Sequence, residues 1–384
     1  MRHITYFTGS RSEYGVMRVL LKEIETHPDF KLDIIVSGSH LSNKYGYSVN
    51  DIRNDGFNII AEIDILTTNE DEISMAGAFG KCLIGVTKVL KESRPDIFLI
   101  QGDRSESLAA AIAASYLNIP IAHFSGGDLT YGGTIDDRIR PAISDFAHIH
   151  FPSTKRSAEV LIKRGEEPWR VHFFGNPGVN LTKEPFTNSH ELATKLNIDI
   201  TRDLIVVLQH PVEPEQAEQQ MEETMAAVKE LGLQTIVIYP NSDLGSQSII
   251  KIIKKYEGHL IKTYETLPRP DFIGLLRMAK VLVGNSSSGI VEAPSINLPV
   301  VNIGERQAGR ETVGNVINTD YNKNQIMKAI KKCMTLKEKI DPQTMPYYME
   351  DTEKNIVKTL SEIKLNKELL KKVLFYEKDI INRS

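Results

Sequence analysis

The segment from His123 to Arg140 reads HFSGGDLTYGGTIDDRIR. It joins two glycine pairs, Gly126-Gly127 and Gly132-Gly133, to Asp128, Asp136, Asp137 and Arg140. Glycines let a backbone pass close to a ligand. Carboxylates beside that ligand can take or give a proton. Asp136 and Arg140, one helical turn apart, are expected to pair on one helix face. The plainer reading is a surface loop followed by a capped helix. Its place between two apolar runs argues for a binding loop instead. A further carboxylate, Asp103, stands in QGDRSES just before Arg104. Taken alone it reads first as a helix cap, and second as an acid or base at a strand end.

Other stretches offer anion chemistry. In TGSRSEYG, Gly9 permits a tight turn into a helix start, and Arg11 adds a positive charge. In VGNSSSGIVEA, Ser286 and Ser287 open a helix with free hydroxyls and N–H groups, a cradle for a diphosphate without a metal. Glu292, further along that helix, is expected to reach ribose hydroxyls. NIGERQAGRE carries Arg306 and Arg310, which implies a multiply charged anion. In LQHPVEP, His210 is pinned between a strand and Pro211, with an ordinary pKa suited to proton transfer near neutrality. His148 and His150 share a strand face, but no third ligand lies near them, and no metal is expected.

These residues need elements to hold them. In the first half, HITYFTG, LDIIVSG, DIFLIQGD, IPIAHFSG and HIHFP read as buried parallel strands. EISMAGAFGKCLIGVTKVLKE and RSESLAAAIAASYLN read as helices between them. The alternation restarts after Asp203 with LIVVLQH, QTIVIYP, KVLVGN and LPVVNIG. Two α/β domains follow, doubly wound and Rossmann-like: residues 1–175, then 176–355, with a polar join over about 176–203. The charged tail, 356–384, is expected to be a long helix that packs back on the first domain. Ligands of such sheets bind beyond the carboxyl ends of the strands. The unusual residues fall at those ends, so two facing domains would line one cleft.

Bulk properties narrow the classes. Apolar content of 41% and charged content of 25% suit a globular enzyme. A net charge of −4, with both signs mixed along the chain, gives no nucleic-acid or membrane footprint. No apolar run reads as long enough to cross a bilayer, and the start shows no signal-peptide pattern. Two distant cysteines, Cys82 and Cys333, suggest a reducing, cytoplasmic setting without disulfide or zinc.

Together QGDR, GGTIDDRIR, LQHPV, YPNSDLGS, GNSSSGIVEA and GERQAGRE, in that order, resemble the hydrolysing UDP-N-acetylglucosamine 2-epimerases over nearly the whole chain. The resemblance implies a two-domain GT-B-like fold. It implies a UDP-sugar substrate, and a free N-acetylmannosamine-type sugar plus UDP as products for sialic-acid-like synthesis. The spacing of GGDLTYGG looks more like the branch that acts on UDP-N,N′-diacetylbacillosamine for legionaminic acid. By resemblance, Arg11, Asp103, Asp136, Arg140 and His210 match active-site positions. Asn241, Ser286, Ser287, Glu292 and Arg306 match positions that hold the nucleotide. His40, Arg104, Ser125 and Gly127 are expected on the sugar side. Ser125 stands where the family usually has a catalytic glutamate, and Pro141 where it has a histidine. Asp103 is then the first choice of base and Asp128 the second, with His210 as acid or orienting group. The expected route is elimination of UDP to a glycal, then hydration. No redox cofactor is called for, and a homodimer is implied. The rival expectations are a non-hydrolysing 2-epimerase, a glycosyltransferase on the same scaffold, and a binding protein without chemistry.

Overall fold

A computed structural model describes residues 1–67, 71–132, 134–241, 243–336 and 339–373. Gly133 of the glycine-rich loop and the tail beyond residue 373 lie outside the described residues.

Two six-stranded sheets organise the chain. The first holds β1 (Arg2–Thr8), β2 (Phe30–Ser37), β3 (Ile59–Ile63), β4 (Ile97–Gln101), β5 (Ile121–Phe124) and β6 (Ile149–Phe151), ordered β3-β2-β1-β4-β5-β6. The second holds β7 (Leu204–Leu208), β8 (Gln234–Ile238), β9 (Ile261–Tyr264), β10 (Val281–Gly284), β11 (Val300–Ile303) and β12 (Val316–Thr319), ordered β12-β11-β10-β7-β8-β9. All pairings are parallel. Helices cover both faces of each sheet, so central strands such as β4 and β7 are buried throughout. In each sheet the order reverses beside the central strand, which opens a crevice at the carboxyl ends.

Nine of these strands match the apolar runs read from sequence; β3, β9 and β12 do not. All three are edge strands with half-exposed residues, so no solid apolar run marks them. β6 is also an edge strand, yet it is fully buried. A bridge from His150 to Val171 and the C-terminal segment cover it.

The join contains a helix, Ser189–Leu196, whose Leu192 and Leu196 enter the core of the second sheet. Past the second sheet the chain returns. The helix Thr352–Glu362 places Ile356, Val357 and Leu360 in the core of the first sheet. It is shorter than the expected single long helix: the backbone turns extended at Ile363, and Asn366 caps a new short helix, Lys367–Leu370. Arg170, fully buried, donates to the carbonyls of Glu368, Leu369 and Lys371 and ties this segment down.

The helix Glu72–Ser93 corrects one expectation. At 22 residues it is long and apolar enough, by length and composition, to cross a membrane. Its glycines and three lysines hid this from a reading of unbroken apolar runs. One face, with Cys82, Val86 and Leu90, packs into the first sheet's core. Ile73, Met75 and Ile84 are exposed on it.

Candidate active site

One cavity of about 380 Å³ runs between the two sheets. Its walls come from the segments after β1, β4, β5, β7, β8, β9, β10 and β11, the carboxyl ends in every case. Arg11, Asp103, Arg104, Ser125, Asp128, Asp136, Arg140, His210, Asn241, Ser286, Ser287, Glu292 and Arg306 all line it.

Local structure explains how the first wall is built. Ser10 accepts from the Glu13 N–H, and the Glu13 carboxylate accepts from the Gly9 and Ser10 N–H groups, a reciprocal cap that starts the first helix. Arg11 therefore projects from a fixed helix start. Its Nη1 is buried with no partner. Burial lowers the Arg11 pKa to about 10, which still leaves a full cation at neutral pH. A cation with an unpaired N–H turned to the cavity suits an anion.

Acids gather where β4 and β5 end. Arg140 forms an ion pair with Asp103 and donates from Nη1 to the Asp128 carbonyl at 2.8 Å. Burial pushes the Asp103 carboxyl up, but Arg140, Arg310 and Arg306 outweigh it and hold Asp103 below its usual range. Asp128 accepts from Ser157 Oγ at 2.8 Å and lies 3.5 Å from Arg310 Nη1. Burial still raises its pKa, since those charges offset only part of the cost. Asp136 is different. Burial, then the charges of Asp103 and Asp243, push it up to about 7. The expected Asp136–Arg140 pair does not form, because Arg140 is spent on Asp103 and the loop backbone. The helical spacing was right, but a stronger tertiary partner took the cation.

On the opposite wall, His210 is fixed by its backbone N–H to Asn285 Oδ1 at 2.7 Å. Its Nδ1 accepts from the Asn241 N–H at 3.4 Å. Burial, then Arg306, lowers its pKa to about 3. His210 is thus a neutral ring with Nε2 as its donor, not the near-neutral titrating group expected from sequence. Ser286 and Ser287 precede a helix of only four residues, Ser288–Val291, so Glu292 sits at its end rather than within it. Glu292 is 2.6 Å from Arg269 Nη1.

Two expected sugar-side residues are displaced. His40 is fully buried between Thr8 Oγ1 at 3.0 Å and Ser48 Oγ at 2.8 Å, and does not line the cavity. It braces the turn after β2. Gly127, at φ +78°, faces the helix Lys155–Lys163, where a Cβ would lie 2.2 Å from the Ser157 carbonyl oxygen. Its role is close packing beneath the loop. Ser125 stays in the wall at a left-handed φ of +60° and accepts from Gln101 Nε2 and Ser153 Oγ.

Arg104, also expected on the sugar side, lines the cavity and bridges Glu106 on its own side to Asp243 on the other at 3.0 Å. Other features escaped the sequence reading. The glycine-rich loop docks across the cleft: the Tyr131 N–H donates to the Ala308 carbonyl at 2.9 Å. A Cβ on Gly132 would sit 3.0 Å from Arg306 Cα. Arg269 and Glu184 form a buried pair, and Glu13 is pushed up to about 7 by burial and by Glu106. Arg269 follows β9, so missing that strand also hid the loop after it.

Among the described residues, no group of three His, Cys, Asp or Glu side chains could hold a metal ion.

Comparison with known proteins fits this geometry. A family model described as UDP-N-acetylglucosamine 2-epimerase matches residues 22–361. The chain is 37% identical over 380 residues to a UDP-N,N′-diacetylbacillosamine 2-epimerase (hydrolyzing) of Legionella pneumophila, covering 98% of this chain and 100% of that one. It is 32% identical to a GDP/UDP-N,N′-diacetylbacillosamine 2-epimerase (hydrolyzing) of Campylobacter jejuni, covering 84% and 85%. In fold it superposes with a TM-score of 0.77 on the UDP-GlcNAc 2-epimerase of Neisseria meningitidis bound to UDP-GlcNAc, at 18% identity, covering 94% and 100%. The two-domain fold thus has a known counterpart, and the chain belongs to the UDP-N-acetylglucosamine 2-epimerase family.

Proposed function

We propose that this protein is a hydrolysing 2-epimerase. It converts a UDP-linked 2-acetamido sugar to the free manno-configured sugar and UDP. One observation carries the reading: Asp103, Asp128 and Asp136 share one cavity with Arg11, Arg306 and the helix-start serines Ser286 and Ser287. Arg11, with its orphan Nη1, Ser286, Ser287 and Arg306 suit a diphosphate. Asp103, Asp128 and Asp136, held at different pKa values, suit proton traffic at the sugar.

The chemistry follows. The C2 hydrogen of the sugar is not acidic while C1 holds the diphosphate. The C1–O bond must break first or in concert, with its electron pair leaving on UDP. Arg11, Arg306 and the serines stabilise that charge. A carboxylate then takes the C2 proton, and the C–H pair forms the C1–C2 double bond of a glycal. Water adds its oxygen at C1, and a proton returns to C2 from the opposite face, which inverts C2. Sequence favoured Asp103 as base, yet its tie to Arg140 makes it a weak one. Asp136, at about 7, is matched to the task, and Asp128 serves as the second carboxyl. His210 and Asn241 orient the leaving diphosphate as neutral donors.

Relatives named for N,N′-diacetylbacillosamine support UDP-N,N′-diacetylbacillosamine as the preferred substrate. The exposed apolar side of the helix Glu72–Ser93 supports a homodimer. The buried free thiols of Cys82 and Cys333 suit a reducing cytoplasm.

Proton NMR in heavy water tests the reading with UDP-N,N′-diacetylbacillosamine and UDP-N-acetylglucosamine. Free UDP and a C2-deuterated manno sugar are expected. Turnover without deuterium at C2 would sink the elimination route, and a UDP-linked epimer as the end product would point to a non-hydrolysing enzyme.

A further inference from the structure

Arg269 sits where the cleft wall meets the segment joining the two sheets. Its Nε and Nη2 donate to the two carboxylate oxygens of Glu184 at 3.1 and 2.6 Å. Its Nη1 lies 2.6 Å from Glu292 Oε1. Glu184 is 1% exposed and Glu292 5% by side chain, while Arg269 is 11% exposed and faces the cavity. Glu184 belongs to a stretch stitched to the same helix start: the Thr187 N–H donates to the Pro270 carbonyl at 3.0 Å.

The pattern uses the guanidinium fork fully. One edge is bidentate to Glu184, which fixes the plane of the group. The remaining nitrogen, Nη1, is left in ion-pair contact with Glu292 Oε1, short of hydrogen-bond alignment. Burial works against the Arg269 cation, but Glu292 and Glu184 outweigh it and hold it charged. A lysine could supply the charge but not the fixed plane.

We infer that Arg269, fixed by Glu184, is a positioning residue that aims the Glu292 carboxylate at the ribose hydroxyls of the nucleotide. This rests on the UDP-sugar reading above and adds a residue to it. Glu292 touches the ribose; Arg269 acts through Glu292. The ribose grip is also tied to the joining segment, since Glu184 lies there.

The test compares the affinities of UDP and 2′-deoxy-UDP for the intact protein by calorimetry. The wild type is expected to prefer UDP by about 10- to 100-fold, the worth of a hydrogen bond to a charged group. Glu292→Gln should bring that ratio close to one. Arg269→Met should do the same, and Arg269→Lys, which keeps the charge and most of the volume, should lower the ratio at least about threefold. Thermal melts show that each variant is folded; if Arg269→Met does not fold, Arg269→Lys decides. A collapsed ratio in Glu292→Gln with a wild-type ratio in the folded Arg269 variants would overturn the inference. An unchanged ratio in Glu292→Gln would overturn it too, by removing Glu292 from the ribose. Failure of the UDP-sugar reading looks different: neither nucleotide would bind the wild type.

Discussion

Arg140 and Arg269 make an instructive pair. Both are buried guanidiniums in the cleft wall, and each holds a carboxylate. Arg269 divides itself between Glu184 and Glu292, so two carboxylates share one guanidinium. Arg140 forms an ion pair with Asp103 and donates to the Asp128 carbonyl, and makes no ion pair with Asp136. The two ends therefore differ in contact. At Arg269 both carboxylates touch the guanidinium, which suits grip. At Arg140 one acid is left with mostly negative company and titrates near neutrality, which suits proton transfer.

Removing the leftover acid should have the largest effect. Asp136→Asn is expected to lower kcat by about 100- to 10,000-fold with little change in fold, measured by UDP release. Near-normal turnover would erase the contrast between the two ends. Next comes the cation itself. Arg140→Met removes a buried guanidinium and leaves the quarter-exposed Asp103 without its ion-pair partner, and should cost about 1.5–3 kcal/mol in urea unfolding. A loss under about 1 kcal/mol would mean that water replaces the guanidinium there.

The third prediction concerns pH. The Asp136 pKa is about 7 in the folded protein, against about 3.9 for an unfolded aspartate. A raised carboxyl pKa means that the folded state holds the proton more tightly. Its favourable contribution is complete below the unfolded value and fades as pH rises through about 7. Asp136→Asn should therefore melt higher than wild type at pH 8.5, with the gain shrinking as pH falls toward 4. A pH-independent difference would remove Asp136 from this role. The smallest effect is assigned to Arg104→Met, which cuts the strut to Asp243. KM should rise about tenfold with kcat falling less, since a charged hydrogen bond across the closed cleft is lost.

Much of this was legible in sequence, and the failures share physical causes. Interior strands announce themselves because both faces are buried, as in LIVVL of β7. β3, β9 and β12 do not, because edges need burial on fewer sides. Losing β9 hid Arg269. Motif spacing brought Asp103, Asp128, Asp136, Arg140, His210 and Arg306 to one cavity, since strand ends in a parallel sheet share a rim. It could not say which acid Arg140 would choose, because that depends on contacts distant in sequence. It misplaced His40 because nothing local reveals that Thr8 and Ser48 enclose the ring.

The glycine-rich loop belongs to the first sheet but hangs from the second, through the hydrogen bond from Tyr131 to Ala308; beside it Arg156, on the helix Lys155–Lys163, donates to the Gly309 carbonyl. Asp128 is likewise shared with Arg310. The three acids all stand on the first half, whereas the diphosphate cradle is split between Arg11 on that half and Ser286, Ser287 and Arg306 on the other. Charge developing on a leaving diphosphate is therefore met from both halves at once, so its stabilisation depends on how the two sheets face each other.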